Sequence, residues 1–105
     1  MKIIEGPRGS GRTTALVREF LKDPSGAVIA SPFDGWNIRH ILANAMLSNA
    51  FASQVIRLPQ DIRRTRGGVR VFVDDLDILN TSLELLPQVV AATVEAPVAN
   101  FERIP

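Results

Sequence analysis

The chain has 105 residues, 46% of them hydrophobic, with 12 basic and 11 acidic side chains and a formal net charge of +1. That length suits one domain with its own core, and so balanced a charge gives no nucleic-acid signal for the chain as a whole. The absence of cysteine excludes disulfides and thiolate metal sites, and no apolar run approaches the ~20 residues of a membrane-spanning helix.

The elements follow in order. Lys2–Glu5 is a short apolar segment and predicts a first strand; the glycine-rich stretch after it leads into a helix over Gly11–Lys22, with Leu16, Val17, Phe20 and Leu21 at helical spacing. Asp23-Pro24-Ser25-Gly26 breaks that helix. Residues 27–31, Ala-Val-Ile-Ala-Ser, predict a second strand, and Pro32–Gly35 a loop with Asp34 as a helix cap. Trp36–Ser53 carries apolar residues near helical spacing and predicts a long helix, its start packed by Trp36. Residues 54–58 predict a third strand, Gln60–Arg66 a short basic helix ended by Gly67-Gly68, and 69–75 a fourth strand. Leu76–Leu86 predicts a further helix stopped near Pro87, and 88–93 a fifth strand. No signal-peptide pattern opens the chain, so a soluble, cytoplasmic protein is expected, or one of the host cytoplasm if its source is viral.

Alternating strands and helices predict an α/β fold: a mostly parallel five-stranded sheet in a three-layer α/β/α sandwich, spanning 1–105 as one domain. Right-handed crossovers place helices on both faces and bring every strand-to-helix loop to the carboxyl edge of the sheet, where open α/β sheets bind ligands.

The first such loop reads Gly6-Pro7-Arg8-Gly9-Ser10-Gly11-Arg12-Thr13, followed by Thr14. Its spacing, between a strand and a helix, matches the phosphate-loop pattern G-x-x-x-x-G-K-[ST] except that Arg12 stands at the lysine. Glycines let successive N–H groups curl inward around an anion, the helix N-terminus adds positive potential, and Thr13 falls where a hydroxyl would meet Mg²⁺. A glycine-rich turn capping the helix through Ser10 or Thr13 is the alternative. The fourth strand runs directly into Asp74-Asp75, which supplies the acid that a Mg²⁺–phosphate site needs at the end of a neighbouring strand. Acids favouring the first turn of a helix would account for Asp77 but less well for Asp74, directly after Val71-Phe72-Val73.

These two motifs resemble the Walker A and Walker B sequences of P-loop NTPases, and the chain looks like a minimal RecA-like, helicase- or terminase-type member. The resemblance implies binding of ATP or ADP with Mg²⁺, Thr13 and Asp74 holding the metal, and Asp75 in the place of the catalytic acid. It implies a coupling role for Thr93 in the fifth strand, and it places that strand between the first strand and the Walker B strand. The segment Ala27–Leu42 is similar to the second strand and following loop of such proteins. Two departures stand out: arginine for the Walker A lysine, and aspartate where glutamate is usual, one methylene shorter. Both point to weak or absent hydrolysis.

Residues 57–70 concentrate Arg57, Arg63, Arg64, Arg66 and Arg70 against Asp61 alone. Arg63, Arg64 and Arg66 are candidates for phosphate contacts to nucleic acid or for a trans-acting contact to another subunit; a solvated basic surface is the alternative. No aromatic residues interleave them, which disfavours base stacking there. His40 has no second ligand at metal spacing and reads as a partly exposed helix residue. The functional expectations are therefore a nucleotide-binding domain acting on nucleic acid or within an ATPase assembly, with homo-oligomers among its partners; a protein-binding modulator of a larger ATPase; and a small nucleotide kinase.

Overall fold

The computed structural model describes residues 1–7, 10–46, 51–78 and 87–95. In chain order these form β1 (Lys2–Gly6), α1 (Arg12–Lys22), β2 (Ala27–Ser31), α2 (Trp36–Met46), a 3₁₀ turn (Ala52–Gln54), β3 (Val55–Arg57), a second 3₁₀ turn (Ile62–Thr65), β4 (Arg70–Val73) and β5 (Val89–Glu95). The five strands make one sheet in the order β1-β5-β4-β2-β3, and every pairing is parallel, with Ile3 opposite Ala92, Ala27 opposite Arg70 and Ile29 opposite Val55. β5 separates β1 from β4, the order that the resemblance implies.

The direction of chain travel decides which face each connection covers. From β1 to β2 and from β2 to β3 the chain steps one way across the sheet; from β3 to β4 and from β4 to β5 it steps back. Right-handed crossovers then put α1 and α2 together on one face and the β3–β4 connection on the other, the face that Leu76, just past β4, also joins. The core divides accordingly. Leu16, Val17 and Phe20 of α1 pack with Ile38 and Leu42 of α2 on Ile29, Val55, Phe72 and Ala91. On the opposite face Leu58 and Leu76 join Val28, Ala30, Ile56, Val71, Val73, Ala92 and Val94. β2 is buried along its whole length, as a central strand covered on both faces must be. Phe20 anchors the helical layer, with edge-to-face contacts to Phe72 at 5.5 Å and Phe51 at 6.0 Å.

Several boundaries differ from expectation. α2 is described over Trp36–Met46, residues 47–50 of the helix expected through Ser53 lie outside the described residues, and Ala52–Gln54 is a 3₁₀ turn rather than α-helix. Gln54 explains the turn: its Nε2 donates to the carbonyls of Pro24 (2.7 Å) and Ala27 (3.0 Å), fastening this segment to the amino end of β2 before the chain enters β3. The basic segment is also a 3₁₀ turn, closed by the Thr65 hydroxyl donating to the Ile62 carbonyl at 2.6 Å. β5 runs two residues further than expected, to Glu95. Leu76–Ile78 form a turn; the rest of the helix expected over 76–86 lies outside the described residues. Asp34 stands one position before the cap. Gly35 takes the cap place, its carbonyl accepting from Arg39 N–H at 2.9 Å, while Asp34 Oδ1 accepts the Trp36 N–H at 2.9 Å. Gly35 has φ +77, and a Cβ there would sit 2.8 Å from Val55 Cγ1, so both backbone conformation and space demand glycine. Trp36 does not pack the start of α2: it is 63% exposed and stacks on His40 with ring centroids 5.2 Å apart, because Ile38 and Leu42 already define the face turned to the sheet.

Candidate functional site

The loops after β1, β2 and β4 meet at the carboxyl edge of the sheet. α2 leaves β2 toward one face while Leu76, just past the neighbouring β4, packs on the other, so a crevice opens between them, the place where open α/β sheets bind ligands. A cleft of about 480 Å³ occupies this edge, with Gly11, Arg12, Thr13 and Thr14 at the start of α1, Phe33, Asn37 and Ile41 on the α2 side, and Asp75, Ile78 and Glu95 opposite.

Of the loop residues, Arg8 and Gly9 lie outside the described residues. Gly6 ends β1 and Pro7 follows; Ser10 N–H donates to the Pro7 carbonyl at 3.2 Å, and the chain folds back so tightly that a Cβ on Gly6 would lie 2.5 Å from Ser10 Oγ. Gly11 caps α1 at φ +85. The loop alternative from the sequence, a side-chain cap by Ser10 or Thr13, is not what caps α1: the cap residue is Gly11, with no side-chain hydrogen bond.

Residues 61 positions apart then come together. The Thr13 hydroxyl donates to the Asp74 carboxylate, 3.1 Å from Oδ1 and 3.0 Å from Oδ2. Thr93, fully buried, donates its hydroxyl to Asp74 Oδ1 at 2.6 Å and accepts the Asp75 N–H at 2.8 Å. Its carbonyl accepts the Leu76 N–H at 2.9 Å. β5 thus clamps the turn after β4, in which Asp75 adopts φ +56, a left-handed conformation that a non-glycine residue holds only with support from its surroundings. Arg12 reaches across to Asp75, Nη2 to Oδ1 3.5 Å, with both side chains largely covered. The result is one connected set, Arg12–Asp75–Thr93–Asp74–Thr13, tying the first two residues of α1 to the two residues after β4.

Two groups in this set carry unspent electrostatic capacity. Nη1 of Arg12 is enclosed without a hydrogen-bond partner, a state that costs about 1–3 kcal/mol for a buried donor. Asp74 is 5% exposed and receives two hydroxyl donors, and among the described residues no basic side chain pairs with it. Hydroxyl and carboxylate oxygens are ligands of hard cations, and no group of three or more acidic, histidine or cysteine side chains able to hold a metal by themselves occurs among the described residues. A metal here would need further oxygens from a ligand or water.

The basic segment is elsewhere. Arg64 donates through Nη2 to the carbonyl of Ser53, which precedes β3, and Gln88, which precedes β5, binds the carbonyls of Thr65 and Val69. Residues 63–66 therefore lie at the amino edge of the sheet, away from the cleft. Sequence reasoning also passed over Phe33, Asn37 and Ile41 as cleft residues; the available signal was their place on the loop and helix leaving β2, at the same edge as the phosphate-loop pattern. Among the described residues no helix is long and apolar enough to cross a membrane. No protein-family model, curated protein or solved structure matches the chain.

Proposed function

We propose that the chain is a nucleotide-binding domain of P-loop type, in a three-layer arrangement, which binds the phosphates of ATP or ADP with Mg²⁺ at the loop over residues 6–14 and hydrolyses them slowly or not at all. The observation that carries this reading is the meeting of Thr13 with Asp74 at 3.0 Å: two motifs far apart in sequence converge at the one edge where the pattern requires it. The enclosed Nη1 of Arg12 supports it further, since a bound phosphate oxygen would satisfy this donor. Thr13 and Asp74 are the residues that would hold Mg²⁺, which when bound neutralises phosphate charge. The residues themselves orient: Arg12 and the first N–H groups of α1 draw the phosphates in, and Thr93 fixes the Asp74 carboxylate that faces them.

The Arg12–Asp75 pair favours low turnover. Asp75, in the place of a water-activating acid, has its carboxylate turned to the Arg12 guanidinium rather than left to activate water. The same observation supports a second reading, in which the domain binds nucleotide to control a protein partner, such as a larger ATPase, rather than to drive chemistry. Arg63, Arg64 and Arg66 lie away from the chain's own cleft, so contacts they make to nucleic acid or a neighbouring subunit are separate from nucleotide binding in this reading.

Thermal melting with and without nucleotide and Mg²⁺ tests the reading. A ligand at a hundred times its dissociation constant stabilises by about 2.7 kcal/mol, which for a domain of this size raises the melting temperature by very roughly 10–20 °C. Absence of any shift with millimolar ATP or ADP, with or without Mg²⁺, rejects it. Phosphate release at ~1–10 s⁻¹, common among enzymes, would reject the slow-turnover part alone.

A further inference from the structure

We infer that the α2 wall of the cleft is a nucleobase subsite, in which the Phe33 ring stacks on the base of a nucleotide and the Asn37 amide meets its edge. The inference rests on the phosphate-binding reading and adds what the other end of the ligand touches. Its first support is the distribution of charge in the cleft. Arg12 lies at the α1 end, and Asp75 and Glu95 form the opposite side, whereas Phe33, Asn37, Ile41 and the neighbouring Thr14 are uncharged. A polyphosphate has no reason to lie along that wall; an uncharged planar ring does. The second support is presentation. Phe33 is 51% exposed, yet its backbone is held, its N–H donating at 3.0 Å to Ser31 Oγ, itself 4% exposed at the end of β2. A half-exposed aromatic ring on a held backbone, beside a cleft, is a stacking platform whose backbone needs no further ordering on binding. The third is complementarity. Asn37 and Ile41 are one turn apart on α2, so an amide with a donor and an acceptor stands beside an apolar side chain in the same wall. A cleft of about 480 Å³ falls in the range of sites that enclose small organic ligands.

Calorimetric titration of the intact protein with Mg²⁺-tripolyphosphate and with Mg²⁺-ATP separates the two ends of the site. The wild type is expected to bind ATP about tenfold or more tighter than tripolyphosphate, the size of one base–aromatic stack. Phe33→Ala should remove most of that preference and leave tripolyphosphate affinity within twofold, roughly the scatter expected for a distant, uncoupled site. Asn37→Ala should remove part of it, and Phe33→Trp should keep it. Because Phe33 is half exposed, its alanine variant is expected to melt close to the wild type, which the same preparation checks. Equal binding of the two ligands by the wild type, or an ATP preference untouched in Phe33→Ala, overturns the subsite while leaving the phosphate loop standing. Failure of both ligands to bind overturns the phosphate reading and the subsite with it.

Discussion

Thr93→Val replaces a hydroxyl by a methyl group of nearly the same volume at a position with no solvent exposure, so the change tests hydrogen bonding rather than packing. Two bonds go at once: the donor at 2.6 Å to Asp74 Oδ1 and the acceptor at 2.8 Å for the Asp75 N–H. A bond to a charged group contributes about 1.5–3 kcal/mol, and a covered N–H left without an acceptor costs about 1–3 kcal/mol. Part of the second term is relieved if the Asp75 turn relaxes from its left-handed conformation, so the expected loss is about 2–4 kcal/mol. For a chain of this length that lowers the melting temperature by about 10–20 °C. Thr93→Ser is the control: it keeps both bonds and loses one buried methyl, about 1 kcal/mol. Urea unfolding of the three proteins ranks wild type above serine above valine. Hydrophobic burial alone would rank valine at the top, since it exchanges a polar atom for an apolar one in the core. A valine variant as stable as the serine variant would refute the account of Thr93 as the clamp on the Asp74–Asp75 turn.

Gly35→Ala must place a side chain at φ +77 with its Cβ 2.8 Å from Val55; a loss of about 2–3 kcal/mol in unfolding free energy is expected, from left-handed strain of about 1–2 kcal/mol with overpacking added. Glu19 accepts from Lys2 at 2.7 Å and Lys22 at 2.9 Å, and these bonds, Lys2 first, hold its carboxyl below the ordinary glutamate range. A lowered folded pKa means that its contribution is complete above the unfolded value and is lost as pH falls through the folded one; a wild-type advantage over Glu19→Gln at neutral pH should therefore disappear in acid-range melting curves. Arg12→Lys and Asp75→Glu, made singly and together, should show non-additive effects on Mg²⁺-ATP affinity of about 0.5 kcal/mol or more, since residues that touch couple on that scale; strict additivity would show that the pair is incidental.

The sheet was legible in the sequence because its evidence is local. Short β-rich runs bounded by Gly, Pro and Asp-Pro signals placed all five strands within a residue or two, and the periodicity of Leu16, Val17 and Phe20 placed α1. The boundary over residues 52–54 was set by long-range bonds that no local window contains. Gln54 pins its segment to carbonyls of residues 24 and 27, and 52–54 form a 3₁₀ turn where apolar spacing alone presents a helix through Ser53. Trp36 misled for a related reason: a large aromatic at a helix start suggests packing, but its outward position follows from which face Ile38 and Leu42 present to the sheet. In the site, Arg12, Thr13, Asp74, Asp75 and Thr93 were all legible from motif and register. Phe33 and Asn37 were not, because only the order of strands brings the β2 loop beside α1.

The two departures from the phosphate-loop pattern explain one another once the geometry is known. Asp75 and Arg12 are read separately in the sequence, each as a weakened version of a usual residue. In the fold they face each other, Nη2 to Oδ1 at 3.5 Å. Guanidinium is broader than ammonium and carries its donors in a planar fork; a shorter acid opposite it leaves room for that fork, where glutamate would extend one methylene further into the same space. One nitrogen of the fork meets Asp75 and the other is enclosed and free, so a single side chain can answer an acid and an anion together, which a lysine ammonium does only as a point charge. Arg12 and Asp75 are then a matched pair rather than two independent losses. On this argument either single change, Arg12→Lys or Asp75→Glu, should lower the nucleotide affinity of the wild type, and the double change should recover it.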